Sequence, residues 1–151
     1  MKRNSVVKVM IALVGVLMLS SAVGYAQKVA NYSFGKYGSP EYEHFSFWTK
    51  AGKRAEVTYA YGKDSKQMTA KYLGTSNYQG KKCFKIELPG SYLLYITPTG
   101  TQLKISGPAK KYEKLFAWEY EGPINGVGTF CNVCAQDEKE AMGVIDGWFM
   151  K

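Results

Sequence analysis

From Tyr42 onward the sequence breaks into short runs of period two, each closed by a turn signal, and this rhythm commits the chain to antiparallel β-structure. Arg54 to Tyr61 puts Ala55, Val57, Tyr59 and Tyr61 on one face, with Glu56 and Thr58 on the other. Lys66 to Leu73 repeats the pattern through Met68, Ala70 and Tyr72. In Lys82 to Leu88, Phe84, Ile86 and Leu88 oppose Cys83, Lys85 and Glu87. Glu43 to Thr49 precedes these runs, and Tyr112 to Glu121 follows them. Between lie Tyr92 to Thr97 and Gln102 to Ser106, which face each other across Pro98-Thr-Gly-Thr101, with Pro and Gly where a hairpin turn wants them. About seven strands at a spacing of about ten residues predict a meander, a curled sheet or a barrel.

The end of the chain follows another period. Ala135 to Met150 carries Ala141, Met142, Val144, Ile145, Trp148 and Phe149 as a helical apolar stripe, with Asp137 and Glu138 in the first turn, where negative charge suits the helix dipole. Gly143 and Gly147 each cost about 1 kcal/mol relative to Ala in an exposed helix. One turn apart on one face, they are expected to let the helix approach the sheet closely. The expected class is therefore α+β, mainly antiparallel β with one C-terminal helix.

The first residues belong to a different program. Lys2, Arg3 and Lys8 flank an apolar run, Val9 to Leu19, and Gly24 and Ala26 fit the small positions of a cleavage site before Gln27. The run is shorter than the roughly 20 apolar residues a spanning helix needs. Three parts are expected: a cleaved signal peptide over 1–26, an irregular lead-in over 27–40, and one β-rich domain with its helix over 41–151. The mature chain is expected in the periplasm or outside the cell, without a stable membrane anchor. Its net charge is +8 before cleavage, but the lysines are scattered and Arg54 is the one arginine beyond the leader. Nucleic-acid readers cluster such residues, so no nucleic-acid partner is expected.

Three cysteines hold the remaining chemistry. Cys131-Asn-Val-Cys134 has the spacing of thiol–disulfide oxidoreductases, and a thiolate near a helix start is activated by free N–H groups. Yet the pair precedes the final helix, no strand follows it, and Asp137, Glu138 and Glu140 oppose a thiolate. An exported chain favours a structural bridge instead. A local Cys131–Cys134 bridge would pin the helix start and leave Cys83 over. A bridge from Cys83 to either partner would staple a strand to that start. His44 with Cys83, Cys131 and Cys134 is the composition of a Cys3His zinc site, although structural zinc sites usually offer two close pairs. His44 as a base for Cys131 would make a hydrolase, but no orienting residue accompanies it. No catalytic residue and no cofactor are nominated. Gly122 to Gly128 lacks the Lys-Ser/Thr of a phosphate loop and reads as a turn leading Phe130 and the cysteines to the helix.

With 12 Tyr, 3 Trp and 7 Phe, the chain has more rings than one core needs. Tyr59, Tyr61, Tyr72, Trp118 and Tyr120 are the candidates for a ligand surface. In architecture the pattern resembles lipocalin-like and other calycin barrels, while the Gly-x-Trp signature of those barrels is absent, Ser46-Phe47-Trp48 carrying serine at the glycine position. The expected function is an exported, non-enzymatic binding or protein-interaction module for a small ligand or a protein. The alternative is a small redox protein acting through its C-x-x-C pair.

Overall fold

The computed structural model describes residues 27–49, 56–63, 66–108, 112–120, 131 and 133–151. Residues 1–26, expected from sequence to be a leader, Arg54, residues 122–128, expected to turn the chain, and Phe130 lie outside the described residues. Among these residues the strands are β1 (Val29–Phe34), β2 (Glu43–Trp48), β3 (Glu56–Tyr61), β4 (Lys66–Tyr78), β5 (Lys81–Leu88), β6 (Tyr92–Thr99), β7 (Gln102–Ser106) and β8 (Glu113–Trp118), followed by the helix α1 (Glu138–Trp148). Each strand pairs antiparallel with its sequence neighbour, and β8 returns to β1 through Tyr32–Trp118 and Ser33–Ala117. The sheet is thus a closed barrel.

Closure corrects one expectation. Residues 27–40, read from sequence as an irregular lead-in, contain β1. Its Ala30, Tyr32 and Phe34 alternate with Asn31 and Ser33, and without it the sheet would have an open edge against β8. The longest strand, β4, has 13 residues and carries a register shift between Tyr72 and Gly74. Gly74 takes φ 92°, the left-handed backbone that a bulge uses to bend a strand. The first part of β4 accordingly pairs with β3 and the second with β5.

Apolar residues point inward, the reverse of a membrane barrel, whose interior is polar. Phe84, Ile86, Leu94, Ile96, Leu103 and Ile105 are fully or almost fully buried. An aromatic column fills the axis: Tyr59, Phe45, Phe47 and Phe149 follow one another with ring centroids 4.6, 6.0 and 5.3 Å apart. Phe149, the residue that caps α1, also meets Phe84 at 5.3 Å and Tyr72 at 5.4 Å, and its carbonyl accepts the Tyr72 hydroxyl at 2.8 Å. The helix therefore plugs one end of the barrel, burying Ala141, Val144 and Ile145.

Side chains cap the helix start. Asp137 Oδ1 accepts the Glu140 N–H at 2.7 Å, while Glu140 Oε2 accepts the Gln136 N–H at 2.7 Å, a capping arrangement that satisfies otherwise orphaned donors. Lys28 pairs with Glu140 at 2.7 Å and holds its carboxyl below the usual range. The expected role of the helix glycines is not found: a Cβ added to Gly143 or Gly147 would meet nothing within 4 Å.

Candidate functional site

Among the described residues, three places gather polar or reactive side chains: the barrel mouth opposite α1, the cysteine pair, and the outer face of β2–β4. At the mouth, β2 opens with Glu43 on the inward parity, so its carboxylate lies in the barrel and is only 7% exposed. Glu43 Oε2 accepts the hydroxyls of Tyr59, at 2.9 Å, and Tyr112; Oε1 accepts Lys114 Nζ. Lys114 Nζ also stands 4.6 Å from the Phe34 ring centroid and 5.2 Å from that of Tyr112, within cation–π range. Burial first, and then Glu43, push the Tyr59 and Tyr112 hydroxyls far above their ordinary pKa. Each is thus a fixed hydrogen-bond donor to Glu43. Gly107 packs tightly here: a Cβ would come within 3.1 Å of the Tyr92 hydroxyl and 3.3 Å of Tyr112 Cβ. The cluster is a polar stopper whose acceptors and donors answer one another.

The cysteine pair is bridged. Cys131 and Cys134 form a disulfide with Cα atoms 5.4 Å apart, and Cys83 is a buried free thiol whose pKa burial raises. Cys134 is 2% exposed, and Asn31 Nδ2 donates to its Sγ at 3.9 Å. Around the bridge, Val29 N–H donates to the Val133 carbonyl and Ala135 N–H to the Val29 carbonyl, both at 2.8 Å. This strap pairs in parallel with the start of β1, along the edge that β8 meets only at Tyr32 and Ser33, and leads into α1. The pair lies upstream of the N-cap Asp137, whose side chain accepts the Glu140 N–H, and both of its sulfurs are in the bridge. The zinc set His44, Cys83, Cys131 and Cys134 is not assembled: two of its sulfurs are consumed by the bridge, and no metal-holding group of three occurs among the described residues.

The third place arises from the outward residues of β2. His44, Ser46 and Trp48 alternate with the core residues Phe45 and Phe47, and cross-strand pairing sets them beside Ala60, Thr58 and Glu56. On β4, Gln67 and Thr69 extend the same row. The floor is made of small residues, and its two ends carry large rings. One wall is the β1–β2 connection, folded back by Ser39 N–H to Lys36 carbonyl and Tyr42 N–H to Ser39 carbonyl bonds of 3.0 and 3.2 Å. Tyr42 is fixed further: its carbonyl accepts Gly62 N–H at 2.8 Å, and its hydroxyl donates to Glu119 at 2.9 Å. The Tyr42 ring stacks with His44 at 6.3 Å and meets Tyr37 edge-on at 5.4 Å. Trp48 forms the opposite wall.

Two adjoining concavities result, of about 300 Å³ between Tyr37 and Trp48 and about 340 Å³ between Trp48 and Thr69. Trp48 and Gln67 line both, so they form one groove across three strands. Comparison of the chain with protein-family models, curated proteins and solved structures found no match. The groove must be read from its own chemistry.

Of the aromatic candidates expected from sequence, none lines this groove. Tyr59 belongs to the Glu43 cluster and Tyr72 to the helix plug. Tyr61 is 48% exposed and stacks on Tyr59 at 5.9 Å. Trp118 packs on the core, and Tyr120 lies 6.2 Å from it. The five are spread over three places rather than gathered on one surface. What sequence reading missed is Tyr37, Tyr42, Ser46, Trp48 and Gln67. A signal for them existed in Glu43-His-Phe-Ser-Phe-Trp48: large rings on both parities mark a strand covered on both faces.

Proposed function

We propose that this chain is an exported, non-enzymatic binding module that takes its ligand in the outer groove of β2–β4 and not inside the barrel. The observation that carries this reading is the aromatic column from Tyr59 to Phe149, which occupies the axis a calycin-like barrel would give to a ligand. The groove offers what the interior lacks: volumes at the lower end of the roughly 300–1,000 Å³ typical of ligand sites, aromatic walls and a polar floor. The export part of this reading is supported by the leader-like pattern from Lys2 to Ala26, and a persistent Cys131–Cys134 bridge suits an oxidising compartment. The bridge serves as a clasp, since it fastens the strap that carries α1 to the barrel.

A fragment screen followed by amide and indole chemical shifts tests the reading. Shifts are expected at Ser46, Thr58, Gln67 and the Trp48 indole. Shifts confined to inward residues such as Phe45, Leu94 and Phe116 would refute it.

A further inference from the structure

We propose that the groove takes a neutral oligosaccharide lying across β2, β3 and β4, with Trp48 as the stacking platform where the two concavities join. This inference rests on the groove being the binding site and specifies its ligand.

Charge narrows the class first. Among the described lining residues there is no Lys or Arg, and the carboxylate is Glu56, at the end beyond Trp48. A phosphate, a sulfate or a uronic acid would find no lysine or arginine among these described residues, with His44 as the group there that can become cationic. Polarity narrows it further. Ser46, Thr58, Gln67 and Thr69 supply hydroxyl and amide groups along the floor, each able to donate and accept. A lipid chain would leave those groups without partners, at a cost of roughly 1–3 kcal/mol for each one buried. The aromatic walls require a ligand that also has flat C–H faces. A pyranose ring combines such faces with peripheral hydroxyls.

The fold disfavours an extended peptide. Peptides bound along sheets gain affinity from main-chain bonds to an open strand edge. Here β1 and β8 pair with each other, and the closed barrel offers no edge beside the groove. Length then follows from strand spacing: the floor from β2 to β4 spans about 10 Å, room for about two linked pyranose rings. The ligand is therefore a segment of a chain rather than a single sugar.

An array of neutral and acidic glycans, followed by calorimetry on the best neutral series from one to six rings, tests the proposal. Binding is expected for neutral glycans of two or more rings, with a clear gain from one ring to two. Trp48→Ala should weaken it about thirtyfold, the loss of an aromatic hot spot. Because Trp48 is half-buried and its removal could perturb folding, Gln67→Ala provides a second variant at an exposed position, expected to weaken binding about tenfold, the loss of one well-placed hydrogen bond. Tyr61→Ala, at the barrel mouth, should bind as the parent does. A silent array, selectivity for acidic glycans, or equal binding of one ring and two would overturn the oligosaccharide while fragment shifts at Thr58 and Gln67 keep the groove. Glycan binding indifferent to both Trp48→Ala and Gln67→Ala would overturn the groove as well.

Discussion

Replacing Glu43 by Leu should cost this barrel about 3 kcal/mol, and the figure can be worked from the contacts. The carboxylate is 7% exposed and answers three donors: the Tyr59 and Tyr112 hydroxyls and the Lys114 ammonium. Breaking a buried ion pair by deleting one partner costs about 3–5 kcal/mol, because the other charge stays buried. Here the Lys114 side chain keeps 28% of its exposure, and its ammonium also faces the Phe34 and Tyr112 rings, so the low end applies. The two hydroxyls, stranded under the stopper, keep the loss from falling below it. Equilibrium urea denaturation followed by far-UV circular dichroism measures the effect. With a slope of about 1–3 kcal/mol per molar, the midpoint should fall by about 2 M. Glu43→Leu combined with Lys114→Met removes both charges and should recover more than 1 kcal/mol of the roughly 3 lost. A single-variant loss under about 1 kcal/mol, or a double variant no better than the single, would refute the claim that this cluster is a mutually satisfied stopper.

Other substitutions probe the plug, the clasp and the buried rings. Gly143→Ala should stabilise the protein by about 0.5–1 kcal/mol, since the exposed helix position has room for a methyl group; thermal unfolding reads it as a rise in Tm. Replacing both Cys131 and Cys134 by Ser should cost about 2 kcal/mol for so short a loop, with faster amide exchange at Val29 and Ala135, whose N–H groups the strap and β1 share. The Tyr32 hydroxyl is buried without a hydrogen-bond partner among the described residues, so Tyr32→Phe should be neutral or stabilising at pH 7. Burial, then Asp146 and Glu138, raise its pKa in the folded protein. A raised acid contributes stability that is complete below the unfolded pKa near 10 and lost above it, at about 1.4 kcal/mol per pH unit. The advantage of Tyr32→Phe over the parent should therefore widen between pH 9 and pH 11 in urea denaturation.

Much of the barrel was legible because inward and outward residues alternate cleanly. Val57, Tyr59 and Tyr61, then Met68, Ala70 and Tyr72, then Phe84, Ile86 and Leu88 occupy the inward parity that their spacing predicts. The Tyr92-to-Ser106 hairpin and the C-terminal helix also form where their patterns place them. Closure was harder to read. β1 shows the same alternation, but Gly and Ser residues after Phe34 resemble a loop, and its partner β8 is far away in sequence. The cysteine spacing favoured a local bridge only narrowly, because spacing does not say which sulfurs the strap on β1 brings together.

The site was less legible than the fold, for a physical reason. Ser46, Thr58, Gln67 and Thr69 are ordinary outward residues of strands, and their character as a floor depends on the Tyr37–Tyr42 connection folding beside them. Large tyrosines, by contrast, drew notice by size alone, and several of them fill the barrel or close its mouth.

The three tryptophans stand as reporters at separate places: Trp48 in the groove, Trp118 against the core and Trp148 at the end of α1. Fluorine NMR of protein carrying 5-fluorotryptophan gives each its own resonance. On titration with a neutral oligosaccharide, the Trp48 resonance is expected to shift with saturation while Trp118 and Trp148 stay in place. Movement of Trp118 with Trp48 unchanged would place the ligand inside the barrel and contradict a binding site on its outer face.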